Sequence, residues 1–124
     1  MDLKTPIEKR EHVRLSIDEV LPVATAHNSG TKKVLSGEFS HPVMIKQIAV
    51  GKLLPGESVE PHVHPDMDEH YFFLEGSGRM RINNNVYFIK KGDFVIVTAG
   101  SDHELQCNNE TLEFFYQSFQ ILPA

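Results

Sequence analysis

Hydrophobic and polar positions alternate in short runs from Lys33 onward, and glycine, proline, asparagine and aspartate separate the runs. Runs of this kind, recurring every eight to twelve residues or so, are typical of an all-β sandwich or barrel. The pattern predicts strands at 33–36, 43–54, 60–64, 69–75, 78–82, 86–90, 93–98, 103–107 and 111–121. Asn83-Asn84-Asn85 predicts a hairpin tip between Ile82 and Val86, because asparagine tolerates the positive φ angles of a tight turn.

The N-terminal part of the chain has a different pattern. Ser16 is followed three residues later by Glu19, a capping-box spacing, and Pro22 ends any helix soon afterwards. This predicts one short helical turn near residues 16–21, as the only helix of the chain. Residues 26–31 are small and polar and predict a loop. We therefore expect residues 1–32 to form an extension that packs on a β-barrel of residues 33–124.

Two predicted strands are apolar on both faces. In Tyr71–Leu74 and Phe94–Val97 neither face is polar, so both strands should be covered on both sides. The barrel interior covers one side, and a partner subunit could cover the other. The aromatic residues of the last predicted strand are better explained as ordinary core than as an interface.

Composition narrows the functional classes. The 124 residues fit one domain, and 12 Lys+Arg against 17 Asp+Glu give a net charge of −5 without a basic cluster, so the electrostatic footprint of a nucleic-acid binder is missing. No signal-peptide core or membrane span is visible, and a cytoplasmic location is expected. Seven histidines against one cysteine point to imidazole and carboxylate chemistry.

The informative stretch is 56–69. In an extended strand His62 and His64 share a face and can aim their imidazoles at one point. The turn residues 65–68 let the next strand return the Glu69 carboxylate to that pair, and His103 is the best-placed fourth ligand. Three imidazoles and one carboxylate suit Fe²⁺, Mn²⁺, Ni²⁺, Zn²⁺, Co²⁺ or Cu²⁺.

These residues fill two family motifs. Gly56, five residues, His62-Val63-His64, four residues, Glu69, six residues and Gly76 resemble the first cupin motif. Gly92, five residues, Thr98-Ala99-Gly100, two residues and His103 resemble the second, with Thr98 where proline is usual and Cys107 at the closing asparagine position. The sequence is therefore identified as a member of the cupin superfamily, of the small single-domain, metal-binding type.

The resemblance implies a single cupin barrel, a double-stranded β-helix or jelly roll of two antiparallel sheets. It implies a divalent metal held near the mouth by His62, His64, Glu69 and His103, and a homodimer, the common state of small cupins. The alternative is a metal-free barrel in which these histidines are ordinary core or surface residues.

Further side chains could line the pocket. Tyr71 and Phe73 share the face of Glu69 and would form its wall or the core. Arg79 and Arg81 make one strand face cationic, and that face either binds a substrate carboxylate or phosphate or is a solvated outer surface. His70 should point out of the site, and Cys107 is too far along its strand to be a ligand. His12, His27 and His41 are expected at the surface.

The function expected from this pattern is a metal-dependent enzyme acting on a small organic molecule, of the dioxygenase or the isomerase or decarboxylase type. No residue stands out as a general base, so no catalytic residue is assigned. The alternatives are a non-catalytic cupin that binds or senses a small molecule, and a structural barrel with an empty site.

Overall fold

The computed structural model describes residues 10–27, 29–37 and 41–123. The strands are β1 Val13–Ser16, β2 Val23–Ala24, β3 Thr31–Lys32, β4 Val43–Leu53, β5 Ser58–Val63, β6 Met67–Glu75, β7 Ser77–Ile82, β8 Asn85–Lys90, β9 Asp93–Val97, β10 Asp102–Cys107 and β11 Leu112–Ile121. A 3-10 turn, Ile17–Glu19, follows β1. The chain is all-β, as its alternation predicts.

The strands form two antiparallel sheets that face each other. The larger sheet has the order β1-β9-β6-β11-β4 and the smaller one β5-β10-β7-β8, while β2 and β3 make a separate ribbon. Side chains alternate between the two faces of each strand, so one face of each sheet turns inward. The core between the sheets is built from Tyr71, Phe73, Met80, Ile82, Ile89, Val95, Val97, Leu105, Cys107, Leu112 and Phe114. The predicted cupin barrel is confirmed.

Eight of the predicted strands are present, with ends within two residues of the predicted ones. The prediction of a strand at 33–36 is wrong: the strand there is β3, Thr31–Lys32, which pairs with β2. Sequence analysis also missed β1, which pairs with β9 at the edge of the larger sheet. Its four residues are too few for alternation to be visible, and the free edge of β9 supplies the hydrogen bonds that make them a strand.

The predicted helical turn is confirmed. The backbone N–H of Asp18 donates to Ser16 Oγ at 3.4 Å, so Ser16 caps the 3-10 turn. Of the N-terminal extension predicted at 1–32, residues 1–9 and 28 lie outside the described residues. Among the residues that are described, no helix is long and apolar enough to cross a bilayer.

Two tight connections fix the register of the strands that precede and follow them. Asn83 has a φ of 52° in the two-residue loop between β7 and β8, which confirms the predicted hairpin tip. Gly76, the last glycine of the first motif, has a φ of 84° between β6 and β7. A Cβ atom at this position would lie 2.1 Å from the Thr111 carbonyl oxygen, so the backbone requires glycine twice over.

Candidate metal site

The four predicted ligands come from both sheets. His62 lies on β5 directly opposite His103 on β10, in the smaller sheet. His64 follows the end of β5, and Glu69 lies on β6 of the larger sheet. Residues Pro65 and Asp66 connect β5 to β6, so the chain passes from one sheet to the other between the second and third ligands. The odd spacing from His64 to Glu69 is therefore the spacing of a sheet-to-sheet crossing.

The ligand atoms converge on Glu69 Oε1. His103 Nε2 lies 3.0 Å from this oxygen, His64 Nε2 3.3 Å and His62 Nε2 3.9 Å. One ligand atom of each residue lies within 4.8 Å of those of the other three. Atoms bonded to one ion at about 2.1 Å lie about 3 Å apart when adjacent and about 4 Å apart when opposite, so the four residues fit a transition metal.

Two histidines are already oriented for metal binding. His62 Nδ1 lies 2.8 Å from the Glu60 carbonyl oxygen, and His103 Nδ1 lies 3.1 Å from that of Ser101. A carbonyl oxygen only accepts, so each Nδ1 is assigned the proton and donates it. The lone pair of each ring is then on Nε2, the atom that faces Glu69. This is the second-sphere arrangement by which proteins orient metal-binding imidazoles.

The site has a buried and an open side. Glu69 and His103 are buried, whereas the side chains of His62 and His64 are 32% and 34% exposed. Burial alone would raise the pKa of Glu69, but the hydrogen bond and charge of His103, with smaller contributions from His64 and Tyr71, hold that pKa below its ordinary value. The carboxylate is therefore ionised at neutral pH and ready to bind a cation.

Tyr71 connects this carboxylate to the core. Its hydroxyl donates to Glu69 Oε2 at 3.2 Å, which leaves Oε1 to face the three imidazoles. Burial first, and then the charge of Glu69, raise the pKa of Tyr71 well above its ordinary value, so the hydroxyl keeps its proton. Tyr116 stacks against the Tyr71 ring, and Phe73 packs behind it, fully buried in the core.

The structure corrects the pocket role considered for the arginines. Met80 and Ile82 occupy the inner face of β7, so Arg79 and Arg81 lie on its outer face. Arg81 pairs with Glu104 and Asp102 at 2.9 and 3.0 Å, and Arg79 donates to Gln106 at 3.2 Å. Their partners belong to the adjacent strand β10. The outer-surface alternative is therefore the one the structure adopts.

The remaining candidates lie outside the site. His70 is on the outer face of the larger sheet against Phe94 and Phe119, as expected. Cys107 is buried, and its thiol donates to the Glu110 carbonyl oxygen. His12 was expected at the surface without companions, but it is half-buried and its ring meets Tyr87 edge-on.

Sequence analysis gave no role to Asp68, the residue before Glu69. Asp68 is fully buried, pairs with Arg10 and accepts a hydrogen bond from the Ala99 N–H at 2.8 Å. Its position beside a predicted ligand was the available signal. The partner is 58 residues away, so spacing could not identify it.

Comparisons with known proteins agree with this geometry. The family model described as "Cupin domain" matches residues 49–116. The tetracenomycin polyketide synthase protein TcmJ of Streptomyces glaucescens is 34% identical over 55 residues, which are 44% of this chain and 37% of TcmJ. The chain thus covers little more than a third of this curated relative.

Two solved structures share the fold. The structure of a predicted oxalate decarboxylase from Thermotoga maritima has a TM-score of 0.59 at 24% identity and covers 86% of this chain and 96% of its own. That of a putative sugar phosphate isomerase from Acidithiobacillus ferrooxidans has a TM-score of 0.54 at 28% identity, covering 60% of this chain and 49% of its own.

Proposed function

This chain belongs to the cupin domain family, and from that premise we propose that it is an enzyme whose divalent transition metal acts on a small organic molecule. His62, His64, Glu69 and His103 would hold the metal. The observation that carries the proposal is the convergence of three imidazole Nε2 atoms on one oxygen of a buried carboxylate, with two of the rings oriented by backbone carbonyls.

The protein side chains supply the setting for this chemistry. When bound, the metal would supply Lewis acidity and, if it is iron, oxygen chemistry. Tyr71 holds the second oxygen of Glu69, and the rings of Tyr71 and Tyr116 pack together behind it and keep water from that side. His62 and His64 form the exposed side, from which a substrate would enter.

The reaction we propose is of the dioxygenase or the isomerase or decarboxylase type. The relatives are named for a polyketide synthase, an oxalate decarboxylase and a sugar phosphate isomerase. What these names share is a small oxygen-rich substrate, which suits a metal with room for substrate oxygens. They support the substrate class, whereas the reaction itself needs an activity screen.

The first experiment is metal analysis of protein purified without chelator or affinity-tag nickel. We expect close to one equivalent of Fe, Mn, Ni, Zn or Co per chain. His62→Ala should lose most of it, whereas His27→Ala, which removes an exposed imidazole outside the site, should retain it. The loaded protein is then screened for oxygen uptake, carbon dioxide release from small carboxylates and isomerisation of sugar phosphates. Failure of the wild-type protein to bind any of these metals would end the proposal.

One observation favours a second candidate, a cupin that binds or senses a small molecule without converting it. The Tyr71 hydroxyl, the acidic proton nearest to the ligand group, is already committed to Glu69. A metal-loaded protein that binds a small carboxylate tightly and returns it unchanged after long incubation would favour this alternative over the enzyme.

We also propose that two copies pair through the outer face of the larger sheet. An apolar groove of about 460 Å³ runs over this face, lined in part by Phe72, Phe94 and Phe115. Beside it the edge strand β4 presents Ile48 and Val50, 57% and 67% exposed, on the same face, because Val50 is the register partner of Phe115. A ridge next to a groove is self-complementary about a two-fold axis, so each copy can place β4 on the groove of the other.

Light scattering behind size-exclusion chromatography tests this pairing. The wild-type protein should have the mass of two chains, and Val50→Lys should have the mass of one. Phe88→Lys is the matched control, because Phe88 is 74% exposed on the smaller sheet, away from the groove. A monomeric wild-type protein at micromolar concentration would contradict the dimer.

A further inference from the structure

The turn at residues 98–101, between β9 and β10, contacts the segments that carry three of the four ligands. Its Gly100 N–H donates to the His64 carbonyl oxygen at 2.9 Å. Its Ser101 carbonyl oxygen accepts from His103 Nδ1 at 3.1 Å. Its Ala99 N–H donates to Asp68 Oδ1 at 2.8 Å, one residue before Glu69. The position of the 98–101 turn therefore bears on His64, Glu69 and His103 together.

Arg10 holds this turn from outside the barrel at two points. Its guanidinium Nη2 pairs with Asp68 Oδ1, the same oxygen that accepts from Ala99. Its carbonyl oxygen accepts a hydrogen bond from Thr98 Oγ1 at 2.8 Å. Asp68 is fully buried, so Arg10 supplies the positive charge that a buried carboxylate requires. No known catalytic or ligand role is involved, since Arg10 does not touch the four ligands.

We propose that Arg10 is a positioning residue for the metal centre, acting through Asp68 and the 98–101 turn. The inference rests on the proposed metal site. With Arg10 in place, Asp68 fixes the start of β6 against the turn, so Glu69 meets His64 and His103 at one point. Without it, a lone buried carboxylate draws in water or shifts toward solvent, and the turn loses two of its contacts.

The test compares two matched variants in the full-length protein, with Co²⁺ alone as the probe. Arg10→Met removes the charge and keeps most of the apolar stem. Arg14→Met is the control, because Arg14 pairs with another fully buried aspartate, Asp93, at 3.7 Å. Co²⁺ affinity is measured by competition with a chelator, and the visible Co²⁺ spectrum reports the geometry of the bound ligands.

We expect Arg10→Met to weaken Co²⁺ binding by about 10- to 100-fold, the range seen when outer contacts of metal ligands are lost, and to change the spectrum. Arg14→Met should lower thermal stability and leave both readouts unchanged. The double variant Arg10→Met/Asp68→Asn should recover most of the affinity, because the amide oxygen still accepts from Ala99 and no charge is left uncompensated. This variant also keeps the test usable if Arg10→Met alone does not fold.

The outcomes separate this inference from the proposed function. A wild-type protein that binds no Co²⁺ overturns the metal site itself. A wild-type protein that binds Co²⁺, with Arg10→Met equal to it in affinity and spectrum, overturns only the role of Arg10. An equal loss in Arg14→Met overturns that role as well, since the effect would then be one of general stability.

Discussion

The two oxygens of the Glu69 carboxylate have different neighbours. Oε1 faces three imidazoles, and Oε2 accepts the hydroxyl proton of Tyr71. A carboxylate held in this way presents one defined oxygen to a metal and cannot rotate freely. The phenol therefore contributes to the site through geometry, although it is not among the ligand residues.

Tyr71→Phe tests this contribution at the residue scale. The change leaves Oε2 buried without its donor, which costs about 1–3 kcal/mol. We expect a comparable loss of folding free energy in the metal-free protein and weaker metal binding. Tyr116→Phe, which alters the neighbouring stacked ring, is the control and should have the smaller effect on metal binding. Urea unfolding and chelator competition measure the two quantities, and equal metal affinities in both variants would contradict the prediction.

At the scale of elements, the hairpins bring the ligand strands into register. Gly76 allows β6 to turn directly into β7, and β7 in turn pairs with β10, the strand of His103. The connection is tight because the backbone of Thr111 passes where a side chain would be. The two motif glycines thus have unequal reasons to be glycine: Gly56 has the same positive φ but open space around it.

The pair Gly76→Ala and Gly56→Ala separates these reasons. Both alanines adopt a positive φ, which costs about 1–3 kcal/mol. Only the alanine at 76 also meets backbone, at 2.1 Å, so it should be the more destabilising by a further 1 kcal/mol or about that. Urea unfolding midpoints of the two variants give the comparison. Equal midpoints would mean that the Thr111 backbone moves aside at little cost.

At the scale of the whole molecule, the metal joins the two sheets. His62, His64 and His103 belong to the smaller sheet side and Glu69 to the larger, so an ion bound by all four is a cross-link present only in the folded state. Binding and folding are therefore thermodynamically linked.

We expect added metal to raise the melting temperature and a chelator to reverse the change. At a free metal concentration of 100 times Kd the gain is about 2.7 kcal/mol. The gain should shrink as the solution is acidified, because protons compete with the metal for the imidazole nitrogens. His62→Ala should show little gain and His27→Ala the full one, measured by calorimetry. A wild-type melting temperature unaffected by Mn²⁺, Fe²⁺, Co²⁺, Ni²⁺ and Zn²⁺ would contradict the linkage.

The sequence by itself determined the features that depend on local order. Alternation along one strand places eight predicted strands within two residues of their observed ends, because the side-chain period of a strand is a property of the chain alone. The spacing of His62, His64 and Glu69 likewise predicted ligands that the structure brings together with His103.

Only the tertiary structure decided features that depend on which segments meet. Whether Arg79 and Arg81 face the site depends on Met80 and Ile82 filling the inner face of β7. The pairing of Arg10 with Asp68, and of β1 with β9, joins residues far apart in the chain, where no local period connects them. Burial makes these distant pairs matter, since a charge or a strand edge inside the protein must find its partner there rather than in water.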